Sequence, residues 1–283
     1  MATLINGKQV AQDVRLNIAE ETKQFIETTT VVPHLVVVIV GEDPASQTYV
    51  RNKKRGCEEV GMKSTIIELP SQTSEEDLLS KIQMLNADES VHGILVQLPL
   101  PKHIDEEKVI HTIAEEKDVD GFHPNQVGRL ASGLESYAPC TAAGVIELLK
   151  AYNLEIAGRH AVIIGRSHIV GKPLIQLLLN ENATVTVCHS RTKDLAQFTK
   201  MADILIVAIG RAKFVTADMV KPGAVVIDVG INRLESGKLA GDVDFETVEP
   251  IVDYITPVPG GVGPMTITML LQNTLDAAKR LTK

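Results

Sequence analysis

Four cations crowd into the segment TYVRNKKRG, residues 48–56, and one of them is placed differently from the others. On a helix that advances ~100° per residue, Lys53 and Tyr49 fall on the same face as the apolar side chains of this segment. The other cations fall outside that face, as is typical of a solvated surface: Arg51, Lys54 and Arg55. The pattern predicts a helix that turns Lys53 and Tyr49 inward.

A lysine on the apolar side of a helix has two interpretations. Its methylene chain can run along the core and bring the ammonium group to the surface, which is a packing role. Alternatively, Lys53 lines a cleft, where desolvation would adapt the amine to donate and accept protons. Tyr49, one turn away, could share a hydrogen-bond network with it. From these residues alone both interpretations stay open.

The elements that must position these side chains alternate between strands and helices. The β-branched run LVVVIVG (35–41) precedes the Lys53 helix, and the strand GILVQLPLP (93–101) follows after a further strand and helix. The same rhythm continues through strands predicted at 160–165, 184–188, 202–210, 224–230 and 254–261. Such runs predict α/β folding around parallel sheets that helices cover.

A segment rich in turn formers, residues 118–140, separates the two series of strands. We therefore expect two α/β domains. The first, residues 1–140, is the candidate catalytic domain, and the second, residues 141–263, is expected to be a Rossmann-type domain with a doubly wound parallel sheet. An amphipathic helix over 264–283 is expected to pack back on the first domain.

A strand–turn–helix junction in the second domain indicates a nucleotide site. The strand that ends at Gly165 runs into GRSHIVGKP (165–173), and junctions of this kind bind dinucleotide phosphates. Only Gly165 and Gly171 are glycines here, so the GxGxxG fingerprint is absent and a tight structural turn is the alternative.

The loop after the next strand bears on the choice of cofactor. NAD-binding domains place an acid there, whereas HSRTKD (189–194) offers Ser190 and Arg191, and Arg166 could join them. Hydroxyl and cationic groups suit a 2′-phosphate, so NADP is favoured over NAD. Solvated loop residues would give the same pattern.

Composition bounds the remaining function classes. The 283 residues carry a formal net charge of −8, which argues against a general nucleic-acid binder. The three scattered cysteines form no CxxC pair and predict neither a disulfide framework nor a metal site. No basic-then-apolar leader is present, and no apolar run approaches the ~18 residues of a membrane span. We expect a cytoplasmic protein without metal, nucleic-acid or membrane partners.

Seven motifs occur in order along the chain: YVRNK, GILVQLPLP, DVDGF, PCT, GRSHIVGKP, DVGIN and PGGVGPMT. In these motifs the chain resembles the bifunctional methylenetetrahydrofolate dehydrogenase (NADP+)/methenyltetrahydrofolate cyclohydrolase family, and with the spacing between them the resemblance covers nearly the whole chain. The resemblance implies a homodimer with a folate-binding cleft between the two domains. It also implies two reactions at one site, oxidation of methylene-tetrahydrofolate with NADP+ and hydrolysis of methenyl- to formyl-tetrahydrofolate. Such an enzyme serves one-carbon metabolism and purine biosynthesis, and its folates can carry polyglutamate tails.

The resemblance also implies roles for individual residues. Lys53 is the acid/base of the hydrolytic step, Gln97 hydrogen-bonds it, and Tyr49 orients the folate. Asp120 holds the amino-pyrimidine edge, for which a carboxylate that accepts two N–H groups is suited. Further substrate contacts are Leu98, Pro259, Gly260 and Gly261. The implied cofactor contacts are Gly165, Arg166, Ser167, Ile169, Ser190, Arg191, Gly210 and Ile231.

Two other functions remain as alternatives. A relative that only dehydrogenates and uses NAD is disfavoured by the loop 189–194. A catalytically silent folate- or nucleotide-binding protein is disfavoured because Lys53, Gln97 and Asp120 are all retained.

Overall fold

The computed structural model describes residues 1–282, and these fall into two compact units. One unit consists of Met1–Gln12 and Pro139–Thr266, and the other of Asp13–Ala138 and the chain from Ile267 onward. After the sheets that they contain, we call them the six-stranded unit and the three-stranded unit. The six-stranded and the three-stranded sheet are both parallel, which confirms the predicted α/β class, and residues 232–233 and 239–240 form a separate antiparallel pair.

Strands and helices alternate along the described chain. The strands are β1 (Thr3–Leu4), β2 (His34–Val40), β3 (Lys63–Leu69), β4 (Gly93–Val96), β5 (His160–Ile164), β6 (Thr184–Cys188), β7 (Ile204–Val207), β8 (Val225–Asp228), β9 (Asn232–Arg233), β10 (Leu239–Ala240) and β11 (Tyr254–Ile255). The helices are α1 (Gly7–Thr29), α2 (Pro44–Glu59), α3 (Glu75–Ala87), α4 (Glu106–Thr112), α5 (Pro124–Ala131), α6 (Cys140–Ala151), α7 (Gly171–Asn180), α8 (Leu195–Thr199), α9 (Phe245–Val248) and α10 (Val262–Leu281). Among the described residues, no helix combines the length and the apolar character needed to cross a membrane.

The six-stranded unit is a doubly wound sheet with the strand order β1-β11-β8-β7-β5-β6. Strand β5 pairs with β6 on one side and with β7 on the other, so the strand order reverses beside β5. Its core consists of β-branched and leucine side chains on the central strands, among them the fully buried Val162, Leu205 and Val226. In open parallel sheets, ligands bind at such a reversal, outside the carboxyl ends of the strands.

The three-stranded unit has the order β3-β2-β4. All seven residues of the central strand β2 are buried, as expected for a strand covered on both faces. The helix α2 that follows begins cleanly because the Asp43 carboxylate accepts the backbone N–H of Ser46 at 2.7 Å and Pro44 occupies the first turn. The sheet and this capped helix together fix the direction in which the side chains of α2 point.

Several strand boundaries differ from the sequence prediction. The strands predicted at 202–210 and 224–230 are Ile204–Val207 and Val225–Asp228. The strand predicted at 93–101 ends at Val96, since the prolines that follow lack the N–H needed for a strand ladder. Gln97 and Leu98 therefore follow the strand instead of belonging to it. The strand predicted at 254–261 is only Tyr254–Ile255, for the same reason. The final helix is confirmed, although α10 begins at Val262 with its proline inside the first turn.

The last helix packs within the three-stranded unit from Ile267 onward. A methyl group on Gly56 of α2 would touch the side chains of Ile267 and Leu271 at 3.2 and 3.3 Å, so α10 and α2 are closely packed. The Asn273 amide donates to the carbonyl of Val119 at 2.8 Å. This bond ties α10 to the segment 118–122.

A buried lysine holds the end of α3. Lys117 is 4% exposed, and its ammonium group donates to the main-chain carbonyls of Leu85, Asn86 and Asp88 at 3.2, 2.8 and 2.7 Å. Carbonyls at the carboxyl end of a helix lack intrahelical partners. Lys117 donates to all three, and backbone N–H groups also reach those of Leu85 and Asp88. Burial lowers the pKa of the Lys117 amine.

The variant Lys117→Met should lower the free energy of unfolding by about 2–4 kcal/mol, because it removes three charged hydrogen bonds from the carbonyls at the end of α3. Urea unfolding measures the change. Lys102→Met, at an exposed position of the same unit, is the matched control and should change stability by less than about 0.5 kcal/mol. Equal stability of the two variants would contradict the capping role.

Candidate active site and cofactor edge

The amine of Lys53 meets an amide oxygen at the end of β4. Lys53 is 8% exposed, and its Nζ donates to Gln97 Oε1 at 3.0 Å. The Gln97 backbone N–H donates to Val38 O at 2.8 Å, and its side-chain Nε2 donates to Leu98 O at 2.7 Å. Because the side-chain nitrogen of Gln97 donates to the Leu98 carbonyl, the side-chain oxygen of Gln97 is the atom that faces Lys53 Nζ. The structure thus brings Lys53, Gln97 and Leu98 together.

The helical pattern of α2 is confirmed for its cations. Arg51, Lys54 and Arg55 are exposed, whereas Lys53 lies among buried neighbours on the inward face. Arg55 pairs with Glu59 at 3.1 Å on the surface. The basic cluster is therefore ordinary surface charge apart from one residue.

Tyr49 departs from the expected inward position. It is 43% exposed, although it shares its angular direction with Lys53. A helical wheel gives the angle of a side chain but not its position along the axis, and Tyr49 lies one turn nearer the amino end of α2. An exposed tyrosine ring remains available to a ligand.

Asp120 lies on a segment that a second aspartate anchors. Asp118 is 2% exposed, and its Oδ2 accepts the backbone N–H of His123 at 2.7 Å. Burial raises the pKa of Asp118 to about 7, and the charge of Asp120 adds to this, while backbone N–H groups oppose it. Asp118 also bridges to Ile94 of β4, which places the segment beside the strand that leads to Gln97.

Leu98, Asp118 and Asp120 line one small cavity of about 20 Å³ beside β4 and α4. A volume of this size admits roughly one water molecule. The part-exposed Asp120 carboxylate therefore lies near the Gln97–Leu98 turn. Its neighbour Asp118 was missed by sequence reasoning, because a loop has no periodicity that tells which of two acids is buried.

The predicted cofactor residues lie at one edge of the six-stranded sheet. Each follows the carboxyl end of a parallel strand, and such ends share an edge. The turn after β5 carries Gly165, Arg166, Ser167 and Ile169; the loop after β6 carries Ser190 and Arg191; Gly210 follows β7 and Ile231 follows β8. The structure thus brings all eight to the same edge.

The turn after β5 is packed tightly. Gly165 has a φ of +121°, and a methyl group there would overlap the carbonyl of Ala208. A methyl group on Gly171 would overlap the carbonyl of Gly165, so α7 starts directly against the strand. The Ser167 hydroxyl accepts the N–H groups of Val170 and Gly171 at 3.2 and 3.4 Å. Its own proton is left to donate.

The side chains at this edge fit a phosphorylated dinucleotide. Arg166, Ser190 and Arg191 are exposed, which suits phosphate groups. Ile169 and Ile231 are 44% and 45% exposed, and large apolar side chains of this kind suit flat ring systems. No acid occurs in 189–193, where NAD-binding domains place one, so the donor set fits a 2′-phosphate.

The predicted substrate residues Pro259, Gly260 and Gly261 lie between β11 and α10 in the six-stranded unit. Gly260 has a φ of +106°, and its carbonyl accepts the Lys8 N–H at 3.2 Å. A methyl group on Gly261 would come within 2.7 Å of the Pro257 carbonyl. Only glycine fits this turn. In the described part of the chain, no group of three or more His, Cys, Asp or Glu side chains is placed to hold a metal ion.

Family models cover both halves of the chain. Residues 5–120 match the tetrahydrofolate dehydrogenase/cyclohydrolase catalytic domain, and residues 139–282 match the NAD(P)-binding domain of the same family. The chain belongs to the tetrahydrofolate dehydrogenase/cyclohydrolase family. The resemblance carried by its motifs is confirmed, and the NAD(P)-binding match begins at the residue where the six-stranded unit resumes.

Relatives in this family match end to end. The bifunctional protein FolD of Bacillus cereus (strain AH187) is 59% identical over 280 residues, which are 99% of this chain and 98% of that one. The crystal structure of bifunctional FolD from Campylobacter jejuni is similar with a TM-score of 0.96 at 52% identity, covering 99% of each chain. The crystal structure of the Trypanosoma brucei dehydrogenase-cyclohydrolase, complexed with NADP cofactor and inhibitor, is similar with a TM-score of 0.94 at 40% identity. The match covers 99% of this chain and 98% of that one.

The buried carboxyl of Asp118 generates a pH-dependence of stability. Its folded-state pKa of about 7 lies above its ordinary value of 3.8, so between these values the folded protein holds a proton that the unfolded chain releases. The free energy of unfolding should therefore fall as pH rises through that window. Each pKa unit corresponds to about 1.4 kcal/mol.

Asp118→Asn keeps an oxygen for the His123 N–H and has no proton to lose. Urea unfolding at several pH values across the window should show that the free energy of unfolding changes less with pH in the variant than in the unaltered protein. Parallel curves for the two proteins would contradict the assigned burial of the Asp118 charge.

Proposed function

We propose that this chain catalyses two successive reactions on one-carbon tetrahydrofolates. The first oxidises methylene-tetrahydrofolate to the cationic methenyl form with NADP+, and the second hydrolyses the methenyl form to formyl-tetrahydrofolate at the same site. The observation that carries the proposal is the buried Lys53 amine held by Gln97 Oε1 at 3.0 Å, in a chain that the family models match in both halves.

Lys53 moves protons in the hydrolytic reaction. Water adds to the cationic methenyl carbon and loses a proton, and the carbon–nitrogen bond then breaks as the leaving nitrogen gains a proton. In its neutral form, an amine in reach of the carbon can take up the first proton on its lone pair and then return it to the leaving nitrogen. Gln97 accepts one N–H of the amine and so directs the remaining ones.

Asp120 and Tyr49 orient the folate. We assign the amino-pyrimidine edge to the Asp120 carboxylate, since an acceptor-only group matches two N–H donors. The exposed ring of Tyr49 offers an aromatic face for the substrate. Leu98 and the turn at Pro259, Gly260 and Gly261 complete the proposed substrate contacts.

The edge of the six-stranded sheet holds the cofactor. Bound NADP+ supplies the hydride acceptor for the oxidation. We assign its phosphate groups to the exposed hydroxyl and guanidinium groups of Arg166, Ser167, Ser190 and Arg191. Backbone approach at Gly165 and Gly210 and the apolar side chains Ile169 and Ile231 complete the proposed site.

The cellular context and assembly are proposals from the family resemblance. We propose a cytoplasmic homodimer that serves purine biosynthesis and accepts folates with or without polyglutamate tails. Residues 1–140 with the last helix are proposed to carry folate chemistry, and residues 141–263 to bind the cofactor. Sedimentation of the purified chain tests the dimer, since a monomer at all concentrations would contradict it.

A two-substrate assay tests the function. Purified protein given methylene-tetrahydrofolate and NADP+ should form NADPH, and added methenyl-tetrahydrofolate should decay faster than it does spontaneously. NADPH formation without accelerated decay would leave only the dehydrogenase. A preference for NAD would overturn the cofactor assignment.

Lys53→Met should slow the enzymatic decay of methenyl-tetrahydrofolate by at least about 100-fold, because it removes the group that transfers protons. The matched control is Lys54→Met, which removes an exposed amine from the adjacent position of α2 and should leave both activities unchanged. Full hydrolytic activity in Lys53→Met would remove this residue from the mechanism.

Arg191→Ser should raise the KM for NADP by about tenfold or more while leaving that for NAD unchanged, because a charged hydrogen bond to the 2′-phosphate is lost. Lys200→Ser, at another exposed position of the same unit, should change neither value. Equal losses with both cofactors would show that Arg191 does not recognise the 2′-phosphate.

A further inference from the structure

Two buried aspartates lie under the cofactor edge of the six-stranded unit. Asp228 ends β8 and is 3% exposed, and Asp242 follows β10 and is fully buried. Neither carboxylate makes a salt bridge within the described residues. Buried carboxylates without a counter-charge require hydrogen-bond donors. The source of those donors indicates what the pair does.

Asp242 takes its donors from two separate turns. Its Oδ2 accepts the backbone N–H groups of Ile209 and Gly210 at 2.7 and 2.9 Å, in the turn after β7. Its Oδ1 accepts the backbone N–H of Arg211 at 2.7 Å and the side-chain Nδ2–H of Asn232, which begins β9 directly after the turn 229–231, at 2.8 Å. One carboxylate thereby accepts four donors, about the full capacity of its two oxygens.

Asp228 fixes the position of Asp242. Its Oδ1 accepts the backbone N–H groups of Gly230 and Asp242 at 3.0 and 2.9 Å, and its Oδ2 accepts that of Val243 at 2.9 Å. A methyl group on Gly230 would overlap the Asp242 carboxylate, and one on Gly241 would overlap Asp228 Oδ2. The backbone at Gly230 and Gly241 therefore packs directly against the two carboxylates.

We propose that Asp242, held in place by Asp228, is a positioning residue that fixes the turns 209–211 and 229–231, the second through Asn232 at the start of β9, for cofactor binding. The inference rests on the proposed placement of NADP against Gly210 and Ile231, which lie in these two turns. A turn that is ordered before binding loses less conformational entropy when the cofactor arrives. The pair acts through the backbone and has no assigned contact with the cofactor.

The arrangement requires a carboxylate. In Asp242→Asn, one oxygen becomes an NH2 group, and in either orientation of the amide that group faces two N–H donors. Two hydrogen bonds are lost, and the new NH2 group is placed against two N–H groups that also donate. The size of the side chain is unchanged. This substitution therefore tests hydrogen bonding separately from packing.

The test uses the full-length chain. Hydrogen exchange of the protein without cofactor should be at least about tenfold faster at the amides of 209–211 in Asp242→Asn than in the unaltered protein. Calorimetry with NADP should give a Kd raised by about tenfold or more. The far-ultraviolet circular dichroism spectrum of the variant should match that of the unaltered protein, which reports that the variant is folded.

Two further variants keep the test decisive. Asn232→Ala removes one side-chain donor and should shift exchange and Kd in the same direction by a smaller factor; it carries the test if Asp242→Asn does not fold. Asp253→Asn, the matched control at an exposed aspartate of the same unit, should change neither.

Faster exchange with an unchanged Kd for NADP would overturn the positioning role and leave the proposed function standing. Unchanged exchange in both Asp242→Asn and Asn232→Ala would also overturn it. If the unaltered chain does not bind NADP, the proposed function itself fails and the inference fails with it.

Discussion

Parallel strands that are buried on both faces favour polar functional side chains at or just beyond their carboxyl ends, and this constraint places the partner of Lys53 and the proposed cofactor contacts. In the three-stranded unit, β4 ends at Val96, and the next residue is the Gln97 that receives the Lys53 amine. In the six-stranded unit, the ends of β5, β6, β7 and β8 carry the proposed cofactor contacts. Because the strands run in one direction, residues distant in sequence meet at one edge of each sheet.

Amide groups hold several of the buried ionisable side chains in this fold. Lys53 donates to a side-chain amide oxygen, and Lys117 donates to main-chain carbonyls. The carboxylates of Asp118 and Asp242 accept backbone N–H groups. Backbone partners are fixed by the fold itself, so each buried charge ties a functional loop to a strand or helix. The functional geometry and the stability of the protein consequently share the same hydrogen bonds.

Periodicity in the sequence was enough to predict the fold class and the inward lysine. The alternation of strands and helices predicted the α/β class, and the angular pattern of α2 separated Lys53 from its three exposed neighbours. Tyr49 was misplaced because angle alone does not give depth along a helix. The ends of β4 and β11 were extended too far because the prolines that follow them were included in the strands. The roles proposed for Gln97 and Asp120 came from motif resemblance, since neither residue lies in a periodic element.

Asp118 and Asp242 could not be found from sequence. The donors to Asp242 come from other loops, and an aspartate next to a glycine, as here, is equally typical of a turn. Asp118 takes its donor from His123 in its own segment, and nothing in that short segment marks which of its two acids is buried. The central claim is that Lys53 serves the one-carbon group of a bound folate. A crystal structure with NADP and an unreactive folate analogue tests it most directly. We predict Lys53 Nζ within about 3 Å of a polar atom at the one-carbon position, with the pyrimidine edge on Asp120. An analogue bound beyond the reach of Lys53 would contradict the account.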